Sequence, residues 1–200
     1  MIMIVHQLTV KMPNSILDDR DLTHRTIWKA FGELGDGTDR PFIYRVTPRD
    51  GPESFVEIRS TEKPNLTRFP YPVLFMKDFE VKIRQARYEF RFDANPSRRD
   101  SMTGKRYDIY DRPEQMDWLE NRLNGVATVE SVEVFCSYGV RVERRNANPF
   151  TVLIVGFTGV LHVVDPVEMG ILYTKGIRKS KVWGAGMMSL KLLDAIHDKG

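Results

Sequence analysis

Apolar and polar residues alternate with period two over residues 2–10, 41–46 and 54–59, which predicts strands. Residues 19–31 carry the i, i+3, i+4 spacing of a helix. Asp18, Asp19 and Asp21 suit the start of that helix, where carboxylates accept from free N–H groups and complement the dipole. Residues 63–72, with three prolines, are expected to be irregular, and residues 82–92 read as a strand alternating basic and apolar positions. Beyond Asn95-Pro96 a polar, charged stretch to Arg112 reads as a long hairpin or loop. Pro113 fits the first turn of a helix reaching Leu123, with Met116, Leu119 and Leu123 on one stripe. Residues 126–138 and 150–164 predict strands, 165–173 a helix, and 187–193 a last strand.

Each half therefore reads roughly as strand, helix, strand, strand, a further segment, strand, with the first strand of the second half lost or displaced. This predicts an α+β chain of two tandem split-βαβ, ferredoxin-like (RRM-like) domains, residues 1–96 and 97–200. The aromatic signature K/R-G-F/Y-G/A-F-V-x-F/Y is absent, so base stacking on a sheet is not expected.

Charge sharpens the picture. The 200 residues carry a formal net charge of only +3, but the cations cluster. Residues 82–106 hold eight Lys or Arg against three acids, and Arg141, Arg144 and Arg145 have only Glu143 among them. Residues 175–189 combine four cations with three glycines and no acid. Glycine lets the backbone approach a ligand closely, and cations give it an anionic partner. The order, helix then loop then strand, is the reverse of a GxxxxGK[ST] nucleotide loop, so a basic surface turn or a polyanion site remains. Three clusters favour a structured RNA held by its phosphates.

The single cysteine, Cys136, cannot form an internal disulfide and argues against a zinc site. It fits a reducing cytoplasm. The apolar start, residues 1–5, is too short for a secretory segment, and the apolar run 151–164 is broken by glycines and His162, so no membrane role is expected.

His24 shares a helix face with Ile27, Trp28 and Phe31, as a histidine at the edge of a core stripe would. A lone histidine also suffices for RNA cleavage, because the ribose 2′-OH is its own nucleophile. His6, His162 and His197 form no helix-spaced zinc pair, and the acids show no paired arrangement, so a nuclease here is expected to be metal-independent and without cofactor.

Residues 22–28 (LTHRTIW), 90–96 (FRFDANP), 104–106 (GKR), 118–119 (WL), 157–161 (FTGVL) and 176–190 (GIRKSKVWGAGMMSL) stand in the order of the CasE family, which the chain resembles. These are CRISPR-associated endoribonucleases that process precursor CRISPR RNA in type I-E systems. The resemblance implies two ferredoxin-like domains and metal-free cleavage at the base of a repeat hairpin, leaving a 2′,3′-cyclic phosphate. It also implies retention on the mature guide as a subunit of the Cascade complex. By the same resemblance His24 is catalytic. Arg98, Arg99, Lys105 and Arg106 lie in the basic hairpin that grips the RNA stem, and Arg178, Lys179 and Lys181 in the glycine-rich loop. Arg144 and Arg145 join the expected RNA contacts from their cluster, and Arg141, Arg144, Arg145 and Lys181 are candidates for steadying the scissile phosphate. Asp21 stands where the family often has a tyrosine, which leaves a subunit that holds RNA without cutting as the alternative reading.

Overall fold

The computed structural model describes residues 3–32, 40–47, 51–143, 148–177 and 183–193. The first sheet is built from β1 (Ile4–Pro13), β2 (Phe42–Thr47), β3 (Glu53–Ser60) and β4 (Val73–Glu80), with α1 (Asn14–Leu17) and α2 (Arg20–Trp28) after β1. Its order is β2-β3-β1-β4, antiparallel throughout. The second sheet joins β5 (Arg87–Ala94), β8 (Ala127–Val142), β9 (Phe150–Val163) and β10 (Met188–Leu192) in the order β10-β5-β9-β8. Its helices are α3 (Arg112–Leu123) and α4 (Pro166–Lys175), and a two-stranded ribbon, β6 (Ser97–Arg99) with β7 (Arg106–Asp108), projects between β5 and α3. Counted within each half, both sheets run fourth, first, third, second strand, the order of a ferredoxin-like module.

Two readings need correction. Residues 73–80 form a strand that alternation did not reveal, because β4 is an edge whose Leu74 and Phe75 both remain exposed. The strand expected over 82–92 closes no sheet in the first half. It begins at Arg87 and is hydrogen-bonded to β9 and β10, so it is the missing first strand of the second module. The change of sheet thus falls between Glu80 and Arg87, whereas a division after residue 96 would leave β5 with the first half. In the first module a single 3-10 turn, Leu66–Arg68, replaces the second helix, among the prolines that remove backbone donors.

Each module has its own core. Leu8, Val10 and Met12 of β1 pack with Ile27, Trp28, Phe42, Tyr44 and Ile58, and Phe90 and Phe92 of β5 pack with Trp118, Leu119, Phe157 and Leu161. Asp19, Asp111 and Asp165 cap α2, α3 and α4 by accepting from backbone N–H groups of the first turn, and Pro113 and Pro166 fill first-turn positions where no donor is needed. The second module lies on the face of the first sheet that α2 leaves open. Ile43 points to that face yet is buried, with Gly176 packed so closely that a Cβ there would stand 3.0 Å from Ile43 Cγ2.

Candidate active site

His24 sits in the second turn of α2, on the side facing β2. Its ring centroid is 5.7 Å from that of Trp28 and 5.3 Å from that of Phe42. Only 8% of the residue is exposed, and Nδ1 is buried without a hydrogen-bond partner. Burial, and after it the charge of Arg40, pushes the imidazole from the ordinary value near 6.5 down to about 4. His24 is therefore neutral at pH 7. The spacing reading of a histidine on a core stripe is correct as geometry, and the same burial holds the ring in its proton-accepting form.

A group held neutral by the fold binds protons more readily once unfolded, so it favours unfolding as pH falls from about 6.5 toward 4. Its contribution is complete above 6.5, lost progressively through that window, and amounts to about 3 kcal/mol in all. Urea unfolding at pH 7 and pH 5 is expected to show about 2 kcal/mol less stability at pH 5, with most of that difference absent in His24→Gln.

Asp21 is engaged within its own helix. Its carboxylate pairs with Arg25 Nε at 2.9 Å, one helical turn on. The phenols near the start of α2 come from elsewhere. Tyr44, fully buried on β2, donates to Arg20 O at 3.4 Å and is pushed strongly upward by burial. Tyr138 on β8 feels the charge of Arg20 and is pushed up to about 12 by burial and then by Asp93. Both stay protonated at neutral pH.

The two modules meet beside this helix. Asp19 Oδ1 accepts from Asp21 N at 2.9 Å and from Glu143 N at 3.2 Å, so the cap of α2 also ties β8 to it. Gly184 packs on Tyr44, where a Cβ would come within 2.8 Å of the ring. Its φ of +78°, with +73° at Gly176 and +94° at Gly186, gives the glycines of this loop a backbone that other residues adopt at a cost.

The basic hairpin is the β6–β7 ribbon. Arg98 pairs with Tyr107 and Arg99 with Arg106 in its register, and Asp100 closes the turn by accepting from Met102 N, Thr103 N and Thr103 Oγ1. Lys105 and Arg106 are exposed, Arg99 Nε donates to Gly104 O at 3.1 Å, and Arg98 Nη1 lies 3.2 Å from Glu114. Arg98, Arg99, Asp100, Ser101 and Tyr107 line a groove of about 520 Å³. The ribbon's root is rigid, since Asp108 accepts from Asn95 Nδ2 at 2.8 Å and Leu153 N at 2.9 Å.

His24 and the ribbon thus belong to different modules. Arg141 is engaged with Glu143 at 2.6 Å. Arg144, Arg145, Arg178, Lys179 and Lys181 lie outside the described residues. Sequence reasoning missed Arg40, whose charge His24 feels; its position just before Pro41-Phe42, at the start of the strand under α2, was the available signal. Among the described residues no cluster of three or more His, Cys, Asp or Glu could hold a metal ion, and no helix is long and apolar enough to cross a membrane.

A family model described as "CRISPR associated protein" matches residues 3–191. The chain is 29% identical over 185 residues to the CRISPR-associated endoribonuclease Cse3 of Thermus thermophilus, covering 84% of this chain and 87% of that protein. It is 27% identical over 186 residues to the CRISPR system Cascade subunit CasE of Escherichia coli, covering 86% and 92%. The structure of Thermus thermophilus Cse3 bound to an RNA representing a pre-cleavage complex superposes with a TM-score of 0.80 at 26% identity, covering 94% of this chain and 99% of that one.

Proposed function

The chain belongs to the CasE family of CRISPR-associated proteins, and from that membership we propose that it is an endoribonuclease that cuts precursor CRISPR RNA at the base of the repeat hairpin. The observation that carries the reading is His24, buried, held as the neutral imidazole at pH 7 and carried by a helix whose cap is tied to a second module that presents a basic ribbon.

The ribose 2′-OH attacks the adjacent phosphorus. A 2′-O–P bond forms, the bond from phosphorus to the 5′-oxygen breaks, and the products are a 2′,3′-cyclic phosphate and a 5′-hydroxyl. With Nδ1 sealed in the core, His24 takes the 2′-OH proton through Nε2, and a second proton from water completes the leaving hydroxyl. The nucleophile comes from the substrate, so no metal-bound water is required. The developing charge on the phosphorane needs a cation, and Arg40 is the described residue whose charge already reaches His24. The ribbon holds the RNA stem through Arg98, Arg99, Lys105 and Arg106, with Arg144, Arg145, Arg178, Lys179 and Lys181 as further phosphate contacts.

After cutting, the protein stays on the 3′ hairpin as a subunit of a Cascade-type complex, the assembly named for its Escherichia coli relative. Its lone thiol, Cys136, suits a reducing cytoplasm.

A second reading, an RNA-holding subunit that cuts poorly, is favoured by the occupied Asp21, which leaves no phenol at that helix position. Incubation with a labelled repeat hairpin in EDTA separates the two. Cleavage with a cyclic phosphate end is expected; tight binding without product, or product only with added Mg²⁺, would overturn the proposal.

A further inference from the structure

Arg59 on β3 is a buried charge that the proposed chemistry does not use. It is 2% exposed, and it points away from Val56 and Ile58, its neighbours in the core under α2. Its Nη1 donates to Tyr173 O in the last turn of α4 at 2.7 Å and to Met188 O at the start of β10 at 3.0 Å. The guanidinium lies 3.7 Å above the Tyr173 ring. One side chain of the first module thereby grips two elements of the second.

What lies on either side of this grip is specific. In the first sheet Arg59 is paired with Ile43, and the residue before Ile43 is Phe42, whose ring touches His24. In the second sheet Met188 is paired with Phe92 of β5, and only two residues separate the end of β5 from the start of β6, the first strand of the basic ribbon. Among the described ties between the cutting module and the β5–β10 edge that carries the ribbon are Arg59 and the more exposed contact from Arg45 Nη1 to Ser189 Oγ, 3.1 Å. A planar guanidinium is suited to this place, because it reaches two carbonyls in fixed directions and stacks on an aromatic ring at once.

We propose that Arg59 is a positioning residue for cleavage: it sets the register between the module that holds the RNA hairpin and the module that carries His24, and so selects which phosphate is cut. This rests on the reading of the chain as a hairpin-cutting ribonuclease. Arg59 touches neither RNA nor the reacting atoms. Displacing a bound substrate by about 1 Å can slow a reaction on the order of 100-fold while its binding contacts survive.

The test compares wild type, Arg59→Lys and Arg59→Met on an end-labelled repeat hairpin, reading affinity, single-turnover rate at saturating protein, and the position of every cut. Folded Arg59→Met is expected to bind like wild type, to cut on the order of 10- to 100-fold more slowly, and to add cuts at flanking phosphates. Lysine, which keeps the charge but loses the planar stack on Tyr173, is expected to restore part of the rate and of the single site. If Arg59→Met does not fold, Tyr173→Leu removes the ring beneath the guanidinium and is expected to shift the cuts in the same way. Wild-type rate and a single cut site in a folded variant would overturn the proposal, as would affinity and rate falling together. A wild type that binds but never cuts would instead overturn the preceding reading, which the cleavage assay on wild type alone reveals.

Discussion

His24→Ala is expected to bind the repeat hairpin with wild-type affinity and to cut it on the order of 100- to 10,000-fold more slowly, the range general acid–base groups supply. The separation of the two effects follows from the architecture. His24 lies in the first module and is almost wholly buried, whereas the cations proposed to hold RNA project from the ribbon of the second. Removing the imidazole leaves those cations untouched. Because burial and Arg40 push His24 down to about 4, the base is already the neutral, proton-accepting imidazole across the neutral range. The wild-type rate should then be level from about pH 5 upward and fall as pH drops through about 4, where the base becomes protonated. Single-turnover rates measured across pH, with binding saturated at each point, check both statements. Cleavage by folded His24→Ala at the wild-type rate would remove His24 from the chemistry.

The legible parts of this chain are those in which one element declares itself. Asp19 announces α2 and Pro113 announces α3, because a cap or a first-turn proline needs only its own turn. Tyr88, Phe90 and Phe92 announce β5 by alternation, but nothing in that alternation says which sheet the strand joins. The second module's missing first strand was therefore in plain view and assigned to the first. β4 went unread because an edge strand with Leu74 and Phe75 both exposed has no buried face to impose a pattern. The site divides in the same way. His24 was visible from its spacing with Ile27 and Trp28, but the depth of its burial depends on Phe42, brought in from β2. The engagement of Asp21 by Arg25 follows an i, i+4 rule and was readable locally. Arg59 was not readable, since its partners Tyr173 and Met188 are 114 and 129 residues away.

Replacing Arg98, Arg99, Lys105 and Arg106 together by Ala is expected to weaken hairpin binding on the order of 100-fold near physiological salt. It should also make the dependence of log affinity on log salt shallower by about three. Four phosphate contacts would set a ceiling near 3.6 on that change, but the cations are unequal. Arg98 is shared with Glu114 and Arg99 with Gly104 O, so each gives up an internal partner when it turns to a phosphate. Lys105 and Arg106 are exposed and, among the described residues, make no such side-chain contact, so they should account for most of the slope. The salt dependence distinguishes this from loss of fold, because an unfolded fraction lowers apparent affinity without changing the number of ions released. Lys191→Ala supplies the control: it removes an exposed cation paired with Glu89 on β5, away from the ribbon, and should leave the slope unchanged. A wild type whose RNA binding is insensitive to salt would mean that these clusters meet no phosphates. The ribbon would then be a protein-contact element, and the cleavage chemistry assigned to His24 would have no substrate held in front of it.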